Sequence, residues 1–193
     1  MKTTANPFKE RGFGAPSPWI DLANSDIWDG YGNHADLLDD PRWVSGFLNY
    51  WNFTVAPPDA NTARELHRLR SFLRDVVKSS KQQSSLSSAA LESLNRWLKV
   101  PVYRQLVEHQ NGLVLTHAPV QFGWPMVIAT IAASFADSLT SGKLDRLKFC
   151  ANEGCRWVFV DRTKGNVRRW CNDATCGNRD RVRRSRAANR RIK

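Results

Sequence analysis

The chain has 193 residues, of which 41% are hydrophobic and 10% aromatic, a composition typical of a folded protein rather than a disordered one. The most apolar stretch, residues 124–139, is interrupted by Thr130, Ser134 and Asp137, so it is too short and too polar to span a bilayer. The first 18 residues contain no apolar run of the kind found in a signal peptide. We therefore expect a soluble, cytoplasmic protein with no membrane partner.

The positive charge is concentrated at the C-terminal end of the chain. Residues 143–193 contain 16 Lys and Arg against 5 Asp and Glu, whereas residues 1–142 contain 13 of each sign. The whole net charge of +11 therefore lies in the last quarter of the sequence. A neutral body with a strongly basic end favours contact with a polyanion, because a purely solvated surface would mix its signs.

The N-terminal region predicts short elements followed by a helix. Residues 1–18 indicate a loosely ordered arm or an edge strand. Residues 19–27 predict a short strand that leads into a glycine-rich loop at 29–33. A helix over 41–51 is predicted next, with Asp40 as its N-cap and proline at its first position.

The next segment predicts two helices joined by a polar linker. Thr62 and Glu65 have the spacing of a capping box, so a helix is predicted from Thr62 to about residue 78. The Ser-, Gln- and Lys-rich run 79–88 is typical of a linker. Apolar residues at helical spacing predict a second helix over 89–99.

A hairpin and a buried helix complete the N-terminal body. Residues 102–108 and 113–116 are apolar runs on either side of a loop that contains Asn111 and Gly112, a sequence typical of a β-hairpin. The strongly apolar residues 124–140 predict a central buried helix.

All four cysteines lie in the basic C-terminal region. Cys150 and Cys155 form one pair with four residues between them, and Cys171 and Cys176 form a second pair with the same spacing. Four thiolates complete the tetrahedral shell of Zn²⁺ and leave no open position for catalysis. The pattern predicts one structural zinc ion. Two disulfides are the alternative, which a reducing cytosol disfavours.

The segment between the cysteine pairs predicts a zinc-ribbon-like module. Residues 156–160 are β-like, 161–166 have the composition of a turn, and 167–170 return toward the second pair. Few apolar residues are present, so we expect the metal to supply much of the folding free energy of the module, on the order of 10–16 kcal/mol.

Beyond Cys176 the chain is rich in arginine and contains no proline, which predicts a basic helix. Arginine favours bidentate contacts to phosphate and to guanine edges, although a merely solvated basic tail is the alternative. The residues predicted to contact nucleic acid are Arg162, Arg168, Arg169, Arg179, Arg181, Arg183, Arg184, Arg186 and Arg190.

Three short strings in this region carry a family resemblance. Arg-Trp-Cys at 169–171, Cys-Gly-Asn-Arg at 176–179 and Phe-Val-Asp at 159–161 closely resemble the CGNR zinc finger. In that family the finger follows an N-terminal ABATE domain, an α+β unit associated with stress-induced transcription regulation. Leu-Ala-Asn-Ser at 22–25 and Leu-Leu at 37–38 resemble that domain more loosely. The resemblance implies that the four cysteines bind zinc and that the finger contacts DNA.

These observations predict a mostly helical α+β domain with a small β-hairpin over residues 1–142, and a zinc-ribbon-like module ending in a basic helix over 143–193. The predicted function is a DNA-binding transcription regulator, with a body that senses a small-molecule ligand or forms a homodimer. An RNA-binding or ribosome-associated protein is one alternative, and an enzyme with its site in the body is another. No catalytic motif or residue was identified, so we expect no enzymatic activity.

Overall fold

The structure is a computed structural model that describes residues 15–29, 33–79, 85–110, 112–141 and 144–190. Several predicted features lie partly or wholly outside these ranges. They are the N-terminal arm, the centre of the glycine-rich loop, most of the polar linker, Asn111 of the hairpin loop and the side chain of Arg190.

The chain forms six helices and six short or medium strands in the described residues. In chain order these are α1 (Pro18–Ala23), β1 (Asp26–Trp28), β2 (His34–Asp36), α2 (Pro41–Tyr50), α3 (Ala60–Ser79), α4 (Ser88–Leu98), β3 (Val102–His109), β4 (Gly112–Pro119), α5 (Trp124–Thr140), β5 (Leu147–Phe149), β6 (Val158–Val160) and α6 (Asn178–Arg190). The strands pair as three separate antiparallel two-stranded sheets, β1–β2, β3–β4 and β5–β6. The predicted α+β class with a mostly helical body is confirmed.

The core of the body lies between α1, α3 and α5. Trp19 of α1 is fully buried and meets Phe135 of α5 edge to face, with 4.9 Å between ring centroids. Leu69 and Leu73 of α3 and Ile131 of α5 are fully buried in the same cluster. Helix α5 is therefore the central buried helix that the sequence predicts.

The predicted strand over 19–27 is wrong, because its first part forms α1. Ser17 has an extended backbone and Pro18 occupies the first turn, where its fixed φ suits a helix. Five of the six residues of α1 are buried, and a helix satisfies its own backbone hydrogen bonds in that apolar setting. Only the end of the predicted strand, Asp26–Trp28, is extended.

The predicted N-cap of α2 is confirmed, and the predicted N-cap of α3 is corrected. Asp40 caps α2, since its Oδ1 accepts a hydrogen bond from the backbone N of Arg42 at 3.0 Å. Helix α3 begins before the predicted capping box, at Ala60. The side chain of Asp59 accepts from the backbone N of Thr62 at 2.7 Å, so Asp59 has the capping role assigned to Thr62.

The predicted pairing within the C-terminal module is also corrected. Strand β6 pairs with β5, which precedes the first cysteine pair, and not with the returning segment 167–170, which is not a strand. Leu147 of β5 and Val158 of β6 are almost completely buried and belong to the same core cluster as α1, α3 and α5. The apolar residues of the module are thus used to dock its hairpin on the body.

Asn24 fastens this hairpin to the body. Its Nδ2 donates to the carbonyl of Val158 at 2.9 Å, and its Oδ1 accepts from the backbone N of Val158 at 2.8 Å. Asn24 is only 6% exposed, so the pair replaces two hydrogen bonds that a neighbouring strand would supply. At this position the side-chain amide of Asn24 therefore takes the place of a third strand beside β6.

Replacement of Asn24 by alanine is expected to lower the free energy of unfolding by about 2–3 kcal/mol, because both backbone groups of Val158 would be buried without partners. Urea denaturation of the full chain measures the loss. Asn49→Ala, at an exposed position of α2, is the matched control and should change stability by less than about 0.5 kcal/mol. Equal effects of the two substitutions would contradict the proposed contact.

Candidate metal centre and basic helix

The four cysteines converge from four different segments. Cys150 follows β5, Cys155 precedes β6, Cys171 ends the returning segment, and Cys176 lies in the turn of residues 173–177 that leads into α6. All four Sγ atoms lie within 4.8 Å of one another. The sequence-predicted ligand set is therefore brought together in one place.

The spacing of the sulfurs suits a tetrahedral zinc ion. Sγ of Cys171 lies 3.6 Å from Sγ of Cys155 and 3.8 Å from Sγ of Cys176. Zn–S bonds of about 2.3 Å at tetrahedral angles place two sulfurs about 3.8 Å apart, whereas a disulfide requires about 2.05 Å. None of the four cysteines forms a disulfide bond, so the geometry favours zinc over the disulfide alternative, and the cluster could hold one zinc ion.

The thiols also influence one another's ionisation. Hydrogen bonding with Cys150 lowers the pKa of Cys176, and lowers that of Cys155 to about 7. Hydrogen bonding with Cys150 and Cys155 raises the pKa of Cys171. Four adjacent thiolates cannot coexist without a neutralising cation, and a divalent metal provides that charge.

The backbone around the ligands is held by short hydrogen bonds. Cys150 N donates to the carbonyl of Trp157 at 2.7 Å, which prolongs the β5–β6 pairing to the first ligand. Ala151 N donates to the carbonyl of Arg169 at 2.8 Å and joins the returning segment to the first cysteine pair. The second pair is closed by Cys176 N, which donates to the carbonyl of Asn172 at 3.0 Å. Main-chain hydrogen bonds therefore hold the four cysteines close together.

A buried carboxylate, Asp161, organises the loop between the cysteine pairs. It is fully buried, and its Oδ2 accepts from Lys148 Nζ and from the backbone N of Arg168, both at 2.7 Å. Its Oδ1 accepts from the hydroxyl of Thr163 at 2.6 Å and from the backbone N of Thr163 at 2.9 Å. Desolvation raises the pKa of this carboxyl, but the hydrogen bonds from Lys148 and Thr163 outweigh it and hold the pKa well below its usual range.

From the sequence, Asp161 was expected only to begin a turn and to match the family pattern, with no buried role. The available signal was an Asp at the end of a strand with a hydroxyl residue two positions later, which is typical of a turn closed by the carboxylate. The contribution of Lys148 could not be read from the sequence, because it comes from the opposite strand.

Three of the arginines predicted to contact nucleic acid bind a backbone carbonyl or an aromatic ring of the protein. Arg179, the last residue of the Cys-Gly-Asn-Arg string, donates from Nη1 to the carbonyl of Asp29 at 2.9 Å and so ties the start of α6 to the body. Arg168 donates to the carbonyls of Trp170 and Cys171. The guanidinium of Arg169 lies over the ring of Trp170, 5.1 Å from its centroid.

The remaining arginines of α6 are exposed. Residues 181–189 are exposed on every side of the helix. Arg181 pairs with Asp173 at 3.1 Å, while Arg183 and Arg184 pair with Asp180, each at 3.0 Å. Arg186 projects from the same exposed stretch, and Arg162 is exposed at the edge of the module. The structure therefore presents a helix whose surface is largely guanidinium.

Two adjoining clefts, of about 830 and 440 Å³, lie where the module meets the body. The larger is lined by Ser134 and Asp137 of α5 and by Arg146, Arg162 and Lys164 of the module. None of the tryptophans of the N-terminal body lines either cleft. Trp19 belongs to the core instead, and a small-molecule ligand of the body stays a prediction. Among the described helices, none has the length and apolar character needed to cross a membrane.

Comparison with protein families matches almost the whole described chain. A model described as "CGNR zinc finger" matches residues 146–189, and a model named ABATE, described as "Putative stress-induced transcription regulator", matches residues 17–142. The two matches occur in the order that the sequence resemblance implies, so that prediction is confirmed. A search of curated proteins found no match.

Proposed function

We propose, from the premise that this chain belongs to the ABATE family and carries a CGNR zinc finger, that it is a zinc-dependent protein that binds double-stranded DNA and regulates transcription. The observation that carries the proposal is α6. It is exposed on all sides from residue 181 to 189 and bears four arginines there, while its first turn is fixed by Cys176 and Arg179. An exposed cationic helix of this kind suits a polyanionic partner.

The metal centre would set the direction of this helix. An isolated helix of 13 residues is marginal in water, so α6 needs support at one end to be held in a defined orientation. The turn of residues 173–177 places Cys176 directly before the helix, and Arg179 fastens the first turn to the body. A bound zinc ion would complete that anchor without taking part in chemistry.

To contact phosphates or base edges, the arginines of α6 would leave the carboxylates with which they pair in the free protein. Their ion pairs with Asp173 and Asp180 involve arginine side chains that are 48–66% exposed. An exposed pair such as Arg181–Asp173, whose carboxylate side chain is 69% exposed, contributes about 0–1 kcal/mol, so little stability is lost when a phosphate replaces that carboxylate. The Asp180 side chain is only 11% exposed and pairs with both Arg183 and Arg184, so one of these arginines can turn to a phosphate while the other stays paired. Contacts to phosphate would give affinity, and contacts to guanine in the major groove would give specificity.

Arg183→Ala is expected to weaken binding of duplex DNA and to lower the salt dependence of the binding constant by about 0.9 in its logarithmic slope, the effect of one lost phosphate contact. Fluorescence anisotropy of a labelled duplex over a range of salt concentrations measures both. Arg68→Ala is a closely matched control, because Arg68 is also an exposed helical arginine with an acidic partner three residues earlier. Equal binding by the two variants would contradict a role for α6.

The same titration, repeated with RNA, distinguishes a DNA-binding function from an RNA-associated one. A structured RNA that binds more tightly than any duplex DNA would favour an RNA-associated function, since an arginine-rich helix also suits RNA. Selection of genomic fragments by the purified protein would show whether particular DNA sequences are preferred. The proposal assigns no catalytic role, and the body would act as a ligand sensor or a dimerisation unit.

A further inference from the structure

The β3–β4 hairpin has an apolar face that is directed at solvent. We call it the leucine face, formed by Val102 and Leu106 of β3 and by Leu113 and Leu115 of β4. These side chains share one face because Leu106 lies opposite Leu115, Glu108 opposite Leu113 and Val102 opposite Pro119 in the antiparallel register. They are 53%, 66%, 71% and 59% exposed in chain order.

The face of the hairpin that carries the leucines is the more exposed of its two faces. A half-buried antiparallel sheet normally turns its apolar face to the protein and its polar face to water. On the opposite face Ala118 is buried and Gln105, Val107 and Thr116 are partly exposed, whereas Tyr103 and Val114 are 49% and 45% exposed. The aliphatic residues alternate as they would to meet a core, yet within the described chain no core lies against them. A two-stranded hairpin alone is marginally stable, so this face has the character of a contact surface.

We propose that the leucine face packs against the same face of a second copy of this chain across a two-fold axis. Its four aliphatic side chains expose roughly 400 Å², a size at which apolar patches commonly mark interaction sites. A stable interface needs about 800 Å² from each partner. Arg104, Glu108 and His117 surround the aliphatic residues on the same face and would supply the polar rim.

The charges on this face are self-complementary. Arg104 and Glu108 lie two residues to either side of Leu106 on β3. In the proposed dimer the two-fold axis passes over the Leu106–Leu115 pair and runs parallel to the hydrogen bonds between the strands. The β3 strands of the two copies therefore face each other and run in opposite directions. Arg104 of one copy then lies over Glu108 of the other, and the reverse pair forms as well. These are the only two Lys, Arg, Asp or Glu residues of β3 and β4, so every such charge would meet its opposite.

The oligomeric state of the full chain, without nucleic acid, tests this surface. We expect a dimer by sedimentation equilibrium. Leu115→Glu should raise the dimer dissociation constant by at least about 30-fold, because the buried charge occurs twice in a two-fold interface. Leu91→Glu, at a position of α4 that is 49% exposed, is the matched control and should leave the dissociation constant unchanged. Both positions are exposed in the monomer, so thermal melting should report the same fold.

A charge exchange tests the register independently. Arg104→Glu and Glu108→Arg should each weaken the dimer, and the double variant should restore it, because the opposite charges meet again. A wild-type chain that stays monomeric at about 100 μM would overturn the proposal. A dimer unaffected by Leu115→Glu would place the interface elsewhere, and failure of the double variant to restore it would reject the two-fold register. None of these outcomes depends on DNA binding.

Discussion

Removal of zinc with a chelator is expected to unfold the cysteine-bearing segments 150–157 and 167–177 and to release α6, while the helical body and the β5–β6 hairpin docked on it stay folded. Among the residues that the structure describes, the apolar side chains packed against the buried cysteines are the partly buried Trp157 and Trp170, so the metal replaces a core in that part of the module. Structural zinc sites contribute on the order of 10–16 kcal/mol of apparent binding free energy at neutral pH. The body has its own core around Trp19, Leu69 and Phe135 and should lose much less.

Hydrogen exchange of the zinc-loaded and chelated protein measures this difference residue by residue. Protection should disappear in residues 167–177 and in α6, and persist in α3, α5 and β6. Cys176→Ser should reproduce the chelated state, with a zinc content near zero. Thr175→Ser, at the neighbouring exposed position, should keep one zinc ion per chain. Equal zinc content in the two variants would contradict the assignment of Cys176 as a ligand.

Asp161→Ala is expected to destabilise the protein by about 3–5 kcal/mol. The substitution leaves the Lys148 ammonium, which is 19% exposed, without its anionic partner, and breaking one side of a buried ion pair is costly. It also removes the acceptor for the backbone N groups of Thr163 and Arg168. Denaturant unfolding of the zinc-loaded protein measures the loss. Asp145→Ala, at an exposed carboxylate of the same module, should cost less than about 1 kcal/mol.

The stabilisation that Asp161 contributes is expected to decrease at acidic pH. The folded-state pKa of Asp161 is depressed, so its stabilisation is fully present above the unfolded-state pKa of about 3.9. It decreases as the pH falls from there toward the folded-state pKa. The stability difference between the wild type and Asp161→Asn should be constant above about pH 5 and shrink below pH 4. A difference that grows on acidification would contradict an ionised Asp161 in the fold.

The sequence predicted the features that depend on local pattern. The four-cysteine spacing, the Asp40-Pro41 helix start, the β3–β4 hairpin and the basic helix all follow from residues close together in the chain, and the structure contains each of them. Periodicity also identified α5 as the central helix, because its apolar run has no competing interpretation.

The features that the sequence did not predict depend on residues far apart. A strand was predicted over residues 19–27 because the apolar run there is short, and tertiary burial decides between helix and strand for such runs. The pairing of β6 with β5 could not be predicted from the sequence, because it depends on the docking of both strands on the body. Arg179 was assigned to DNA, whereas the structure also gives it a carbonyl acceptor at Asp29, 150 residues away in the chain.

Within the Cys-Gly-Asn-Arg string, the structure gives three residues distinct physical tasks. Cys176 completes the cysteine cluster. Gly177 lies against the Asp173 carboxylate, which an added Cβ would displace from its pair with Arg181. Arg179 joins the helix to the body. The string therefore links the metal centre, the basic helix and the N-terminal domain within four positions.

We propose that the zinc centre holds the arginine helix in place for DNA. The most direct test of this claim is anisotropy of a labelled DNA duplex titrated with zinc-loaded wild type and with Cys176→Ser at the same salt concentration. We predict that the loaded protein binds and that the variant, whose α6 keeps all its arginines, binds at least about tenfold more weakly, a loss of about 1.4 kcal/mol or more. Equal affinity of the two proteins would contradict the claim, because the arginines alone would then account for binding.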